Sequence, residues 1–281
     1  MTSPQLEISA YNYVKKKWIL WLDADEELDQ ERGKFLLKEL EETRAKVIVL
    51  PVLNYYGDFS KIRREDYYLL YQPRLFRNYQ GITFVNKIHE ALKFQEKIQE
   101  DEVERVNVPI HHYGYMEDLI DEKNKSDRNL ALLKEELSDP EHSPWIEYHI
   151  VSELYRQKNF EAAFQFVNLS IMRFIKEEIY PPSLLYKLKY EMLIETENWE
   201  GAWPGIDKAL ELYPDYVDLH YYKGLILYHL SQYEEALKSF NHCLKLGDQE
   251  SKHLILNGVG SFMAKEYCDL CLEKIGKEDP A

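Results

Sequence analysis

Three segments of the chain repeat one spacing of aromatic and small residues: NFEAAFQFVNLSI, NWEGAWPGIDKAL and QYEEALKSFNHCL. In each, an aromatic residue (Phe160, Trp199, Tyr233) precedes an alanine (Ala163, Ala202, Ala236) by three positions. A second small residue (Ser170, Ala209, Cys243) follows that alanine by seven. Steps of three and seven return to the same side of an α-helix. Small side chains recurring there have a mechanical reason: paired helices cross closely, and a larger residue would push them apart. Ala202 and Ala236 are 34 residues apart, and the earliest unit is offset by five more residues around IYPPS.

A 34-residue period with Gly224, Ala236, Phe240 and Cys243 in register resembles the tetratricopeptide repeat. Ala202, Ala209 and Pro214 fit the unit before it. The expectation is an all-α domain over residues 121–281, closed by the partly repeat-like stretch from Asp248 to Gly276. Stacked helix pairs offer a concave groove, which suits recruitment of a peptide or protein.

Residues 1–120 follow another grammar. WILWLDADEEL begins with five apolar residues, Trp18 to Leu22, which read as a buried strand ending at two aspartates, Asp23 and Asp25. Asp29 can cap a helix running to Glu42, with Phe35, Leu36 and Leu40 on its apolar face. VIVLPVL (Val47 to Leu53) reads as a second buried strand. YYLLYQPRLF (Tyr67 to Phe76) reads as a third, with Pro73 placing part of it at an edge. Short extended runs are expected around ITFVNKIHEAL and VNVPIHHYGY. The fold class expected is α/β followed by all-α: a partial mixed sheet, then a helical repeat domain.

The formal net charge of −15 disfavours phosphate backbones, so nucleic-acid binding is not expected. No apolar run approaches the ~20 residues of a membrane span, and MTSPQLEISA lacks the features of a signal peptide, which points to a cytoplasmic protein. The three cysteines fall late in the chain. Cys268 and Cys271 spell C-D-L-C on a helical pattern, and are read as two helix-face thiols rather than a metal or redox pair.

For D-A-D-E-E alone there are two readings. Acidic residues commonly follow a strand and open a helix, where free N–H groups favour them. Alternatively the strand delivers two carboxylates to one site at the end of a sheet, where open α/β sheets bind ligands. There they can hold a hard divalent cation. The ordered set WILWLDADEELD, PRLFRN, IHEAL and HHYGY resembles the family 2 glycosyltransferases, specifically bacterial members fused to tetratricopeptide repeats. That resemblance implies a GT-A fold, a nucleotide-sugar donor with a UDP-sugar foremost, Mn²⁺ or Mg²⁺, inversion at the anomeric carbon, and a peptide, protein or glycan acceptor. It makes Asp23 and Asp25 the D-X-D pair at the metal, with Asp25 foremost as the direct ligand and Asp23 also meeting the donor diphosphate, and lets His112 complete the metal or diphosphate site. It places Glu90 as general base on the acceptor. Arg74 and Arg77, or Lys125 and Arg128, could meet diphosphate oxygens. The plain alternatives are a histidine packed beside Tyr113, a solvated loop glutamate at Glu90, and a solvated helix face for Lys125 and Arg128.

The resemblance also implies a strand, a helix and a second strand ahead of the D-X-D strand, which MTSPQLEISAYNYVKKK does not supply. At Ala10 to Asn12, AYN stands where relatives often show A-R-N. The expectations that follow are a fragment of a longer enzyme, a partner that supplies the missing half, or a degenerate member. An uncovered first strand would leave a hydrophobic sheet edge through which two copies could pair. The rival to an enzyme is a tetratricopeptide scaffold with a vestigial catalytic half. A metal-dependent hydrolase using Asp23, Asp25 and His112 is a third class with less behind it.

Overall fold

The computed structural model describes residues 15–58, 63–78, 83–85, 91–93, 98–117, 119–140, 142–248 and 252–278. The chain forms two compact units. One is Met1–Tyr56 with Leu69–Tyr115; the other is Gly57–Tyr68 with Met116–Ala281.

The first unit is a mixed sheet with one covering helix. Its elements are β1 (Trp18–Leu20), β2 (Glu26–Leu28), α1 (Gln30–Glu42), β3 (Val47–Asp58) and β4 (Tyr67–Arg77). After them come β5 (Thr83–Val85), β6 (Ala91–Lys93), β7 (Val103–Arg105) and β8 (Ile110–Glu117). The strand order is β1-β4-β3-β8-β2, with β7 pairing on β3, while β5 and β6 form a separate ribbon. β1 is antiparallel to β4 and β2 to β8, whereas β7 runs parallel to β3. The core joins Leu36 of α1 to Ile48, Leu50 and Val52 of β3, Leu75 of β4, and Val108 and Ile110 before and on β8.

Two expectations are corrected here, and a third holds in part. The first strand is three residues long and half-buried, not fully buried, because it lies at the sheet edge; Leu20 is exposed. Phe35 faces outward at 68% exposure, and only Leu36 and Leu40 turn to the core. β4 is an interior strand between β1 and β3. Its ladder with β1 covers only Leu75 to Arg77, so Pro73, which has no N–H to donate, lies outside it.

α1 begins where Asp29 accepts a hydrogen bond from the Arg32 amide, 2.8 Å away. Just past its end Arg77 donates from Nη2 to the O of the C-cap residue Thr43 and from Nε to Ala45 O, each at 2.7 Å.

The second unit is helical: α2 (Leu119–Leu137), α3 (Trp145–Arg156), α4 (Phe160–Lys176), α5 (Ser183–Glu195), α6 (Trp199–Ala202), α7 (Ile206–Leu212), α8 (Val217–His229), α9 (Tyr233–Leu246) and α10 (Phe262–Glu278). The repeat spacing is realised in packing. Ala163, Ser170, Ala202, Ala209, Ala236 and Cys243 are all fully buried. The turn before each repeated aromatic is also the same: Lys158, Glu197 and Ser231 adopt left-handed φ of 57°, 52° and 59°. In each turn the next amide (Asn159, Asn198, Gln232) closes onto a carbonyl five residues back (Leu154, Leu193, Leu227). The middle segment departs from expectation. NWEGAWPGIDKAL is two short helices, α6 and α7, because Pro204 removes a helical N–H donor. Cys268 and Cys271 are buried helix-face thiols on α10, and burial pushes both above the ordinary thiol range.

Two buried features of this unit give measurable outcomes. A Cβ at Gly224 of α8 would meet the Phe240 ring of α9 at 2.5–2.9 Å. Gly224→Ala is expected to cost about 1–3 kcal/mol in urea denaturation, with partial recovery in Gly224→Ala/Phe240→Leu. Asp218 is fully buried against Lys187 Nζ (2.5 Å) and the Leu256 amide (3.0 Å). Burial outweighs the lysine and pushes its carboxyl up to about 6. The folded state therefore gains a proton below pH ~6 that the unfolded chain takes up only near ~3.9, so stability rises as pH falls through this window. Between pH 7 and 5 the wild type should gain about 1 kcal/mol relative to Asp218→Asn, read from urea melts at both pH values.

Candidate functional site

The apolar row Ile48, Leu50, Val52 on β3 continues, two residues on, into Asn54. On the neighbouring β8, Ile110 is followed at the same period by His112 and Gly114. Side chains alternate faces along a strand, so these polar residues terminate the core row at one place on the sheet. The D-X-D segment arrives there by an unusual route. β1 and β2 are the two edges of the sheet order, so residues 21–25 pass across it. On the way the Trp21 amide donates to Arg74 O of β4 at 2.9 Å, and the Tyr113 amide of β8 donates to Asp25 O at 3.1 Å. A turn between them is closed by the Glu26 amide on Asp23 O at 3.1 Å.

The two aspartates then separate in role. Asp25 Oδ2 stands 3.5 Å from His112 Nε2. The Asp25 side chain is 46% exposed and that of His112 16%, so the pair is reachable from solvent. Gly114 makes the room beside them. A Cβ there would lie within 2.6 Å of His112 Nε2 and closer still to Asp25 Oδ2. On its other side, His112 Nδ1 meets Asn54 Oδ1 at 2.7 Å.

Asp23 turns to Arg74 instead, with its Oδ2 3.7 Å from Nη1. Arg74 is buried, lies over the Trp21 ring at 5.0 Å, and donates from Nη2 to Glu26 Oε1 at 2.5 Å. The Glu26 carboxylate also accepts from the Asp23 amide at 2.9 Å. Burial pushes the Glu26 carboxyl up, and the Asp23 amide and Arg74 pull against it. Arg74, Glu26 and Trp21 thus brace the acidic turn from below.

The structure sorts the remaining sequence candidates. The Arg74 guanidinium is engaged by Glu26 and Asp23. Arg77 is spent on the end of α1 and on the Trp18 ring, 4.7 Å away. Arg128 is exposed on α2, the solvated helix face. Glu90 lies outside the described residues, as does the side chain of Lys125. His111, neighbour to His112, faces the other way. Its Nδ1 meets Tyr55 Oη at 3.0 Å, its Nε2 meets Asp29 Oδ2 at 3.3 Å, and Tyr55 stacks between the His111 and Tyr113 rings. That cluster ties the helix cap to the sheet. The residues that sequence reasoning missed are Glu26, Asn54 and Gly114. Strand alternation, extended from the apolar rows, was the signal that could have paired Asn54 with His112.

Among the described residues no three His, Cys, Asp or Glu side chains gather closely enough to hold a metal alone. Asp25 and His112 nevertheless fit a divalent cation as two of its ligands. A carboxylate oxygen and an imidazole nitrogen are suitable donors, and two ligands each about 2.0–2.2 Å from one ion can stand as far apart as these do. The other positions would be filled from outside the protein. No helix among the described residues is long and apolar enough to cross a membrane.

Comparison with known proteins adds the following. Residues 9–102 match the sequence model of glycosyl transferase family 2, and residues 206–238 that of the tetratricopeptide repeat. Nothing matches among curated proteins. Among solved structures, MamA (41-end) from Desulfovibrio magneticus RS-1 is 17% identical, covers 56% of this chain and 90% of its own, and has a TM-score of 0.40. MamA of AMB-1 is 15% identical, covers 57% and 85%, and has a TM-score of 0.41. At these scores the likeness carries no functional argument. The chain carries a family 2 glycosyltransferase segment over residues 9–102 and a tetratricopeptide repeat over residues 206–238.

Proposed function

We propose that the protein transfers a sugar from a nucleotide-sugar donor, foremost a UDP-sugar, to a peptide, protein or glycan acceptor, with inversion at the anomeric carbon. The observation that carries this reading is the convergence of Asp25, inside the stretch that matches family 2 glycosyltransferases (residues 9–102), with His112, just beyond it, over the space left by Gly114. A divalent cation, Mn²⁺ or Mg²⁺, supplies charge neutralisation for a departing nucleoside diphosphate when bound. Asp25 and His112 are the residues that would hold it. Asp23 contributes indirectly, keeping the turn in place through Arg74. The acceptor's attacking atom bonds to the anomeric carbon as the bond from that carbon to the diphosphate oxygen breaks. Glu90 is the proposed base that takes the acceptor's proton, a role resting on its place in IHEAL. The helical repeats recruit the acceptor.

Isothermal titration of the full chain with Mn²⁺ and UDP-glucose tests this. Saturable binding that requires Mn²⁺ is expected, weakened at least ~10-fold in Asp25→Ala and in His112→Ala. Wild-type protein that shows no metal-dependent binding would leave the scaffold reading in its place.

Gly114→Ala gives an independent outcome. The added methyl occupies the space between the two ligands, so Mn²⁺ binding should fall by at least ~10-fold while the circular dichroism spectrum is retained. Unchanged Mn²⁺ affinity would remove the space beside Gly114 as the binding position.

A further inference from the structure

We infer that Asn54 is a positioning residue that holds His112 in the tautomer protonated on Nδ1, so that the Nε2 lone pair is turned toward Asp25. The inference rests on the cation-binding reading of the Asp25–His112 pair and adds to it the residue that prepares the pair.

Asn54 Nδ2 donates to Val52 O at 3.3 Å, which leaves Oδ1 as the atom 2.7 Å from His112 Nδ1. An amide oxygen only accepts, so the ring nitrogen must be the donor. A neutral imidazole carries one N–H, and with it on Nδ1 the other nitrogen is an acceptor. That nitrogen, Nε2, faces the Asp25 carboxylate at 3.5 Å, too long for a good hydrogen bond. Two acceptors directed at one another are at ease only when something positive comes between them. Asn54 is buried at 7% exposure on β3, so the amide is fixed by the sheet rather than by solvent. Ring nitrogens opposite a metal are characteristically tied in this way, and the tie sets both tautomer and ring direction.

The test uses the full-length chain and two readouts that need no turnover. In histidine-selective ¹⁵N spectra of the neutral ring, His112, assigned through His112→Gln, should show the Nδ1–H tautomer. Asn54→Leu should move it to the Nε2–H form and weaken Mn²⁺ binding, followed by electron paramagnetic resonance, by about 10–100-fold. Asn54→Asp keeps an acceptor for Nδ1 and loses the donor to Val52 O. It should retain the tautomer and bind Mn²⁺ within a few-fold of wild type if the acceptor is what matters. A wild-type His112 found as the Nε2–H tautomer or as imidazolium would overturn the inference. So would Asn54→Leu with wild-type Mn²⁺ affinity, or Asn54→Asp behaving like Asn54→Leu. Wild-type protein that binds no Mn²⁺ would sink the cation reading alone, because the tautomer measurement still decides the role of Asn54.

Discussion

The geometry of the first unit depends on a short piece of chain reaching from one edge of its sheet to the other. β1 and β2 are close in sequence but stand at opposite ends of the strand order. On a flat sheet four strand spacings amount to ~19 Å. From Leu20 to Asp23 the chain extends by at most ~10 Å, and the turn from Asp23 to Glu26 spans less than ~7 Å. The chain cannot cover the flat distance, so the sheet curls until it can. The Arg74–Glu26 ion pair, joining β4 to β2 past two intervening strands, agrees with that curvature. The acidic turn lies between Arg74 of β4 and Tyr113 of β8 because the chain has no slack to place it elsewhere.

This constraint explains why two aspartates separated by one alanine do different work. Asp23 sits where the crossing passes β4 and is engaged by Arg74. Asp25 sits where it reaches β8 and is engaged by His112. The bracing is costly chemistry: Arg74 and Glu26 are both withdrawn from water, and Arg74 Nε and Nη1 have no hydrogen-bond partner among the described residues. A buried charge pair of this kind stabilises little in net terms and is better understood as fixing one arrangement of the turn over others. The exposed carboxylate of Asp25 can then meet a ligand without the turn having to reorganise.

Much of this was legible in the sequence. The buried small residues of the repeats followed from spacing alone, because close helix crossings admit only small side chains whatever the surroundings. Asp29 as a helix cap followed from local hydrogen-bonding chemistry, and the joining of Asp25 with His112 followed from resemblance. What was not legible depended on strand order. Nothing local reveals that Trp18–Leu20 is an edge strand, and an apolar run reads alike in the middle of a sheet and at its margin. Arg74 and Arg77 lie three residues apart and look equivalent as anion ligands. Only the fold shows that one props the acidic turn and the other closes a helix. His111 and His112 are adjacent and divide by the alternation of the strand, a distinction that a motif cannot make.

The crossing also has a consequence for the order in which the domain is assembled. Both strands that flank it pair with partners that come much later in the chain, β1 with β4 and β2 with β8. Closing such distant contacts carries a large entropic cost before any pairing repays it. Residues 21–25 are thus fixed only once both later partners have been made and paired. Whichever strands pair first, the acidic turn is drawn over them only afterwards, like the clasp on a finished case. A collapsed intermediate can hold its central strands in place and still have no site at all.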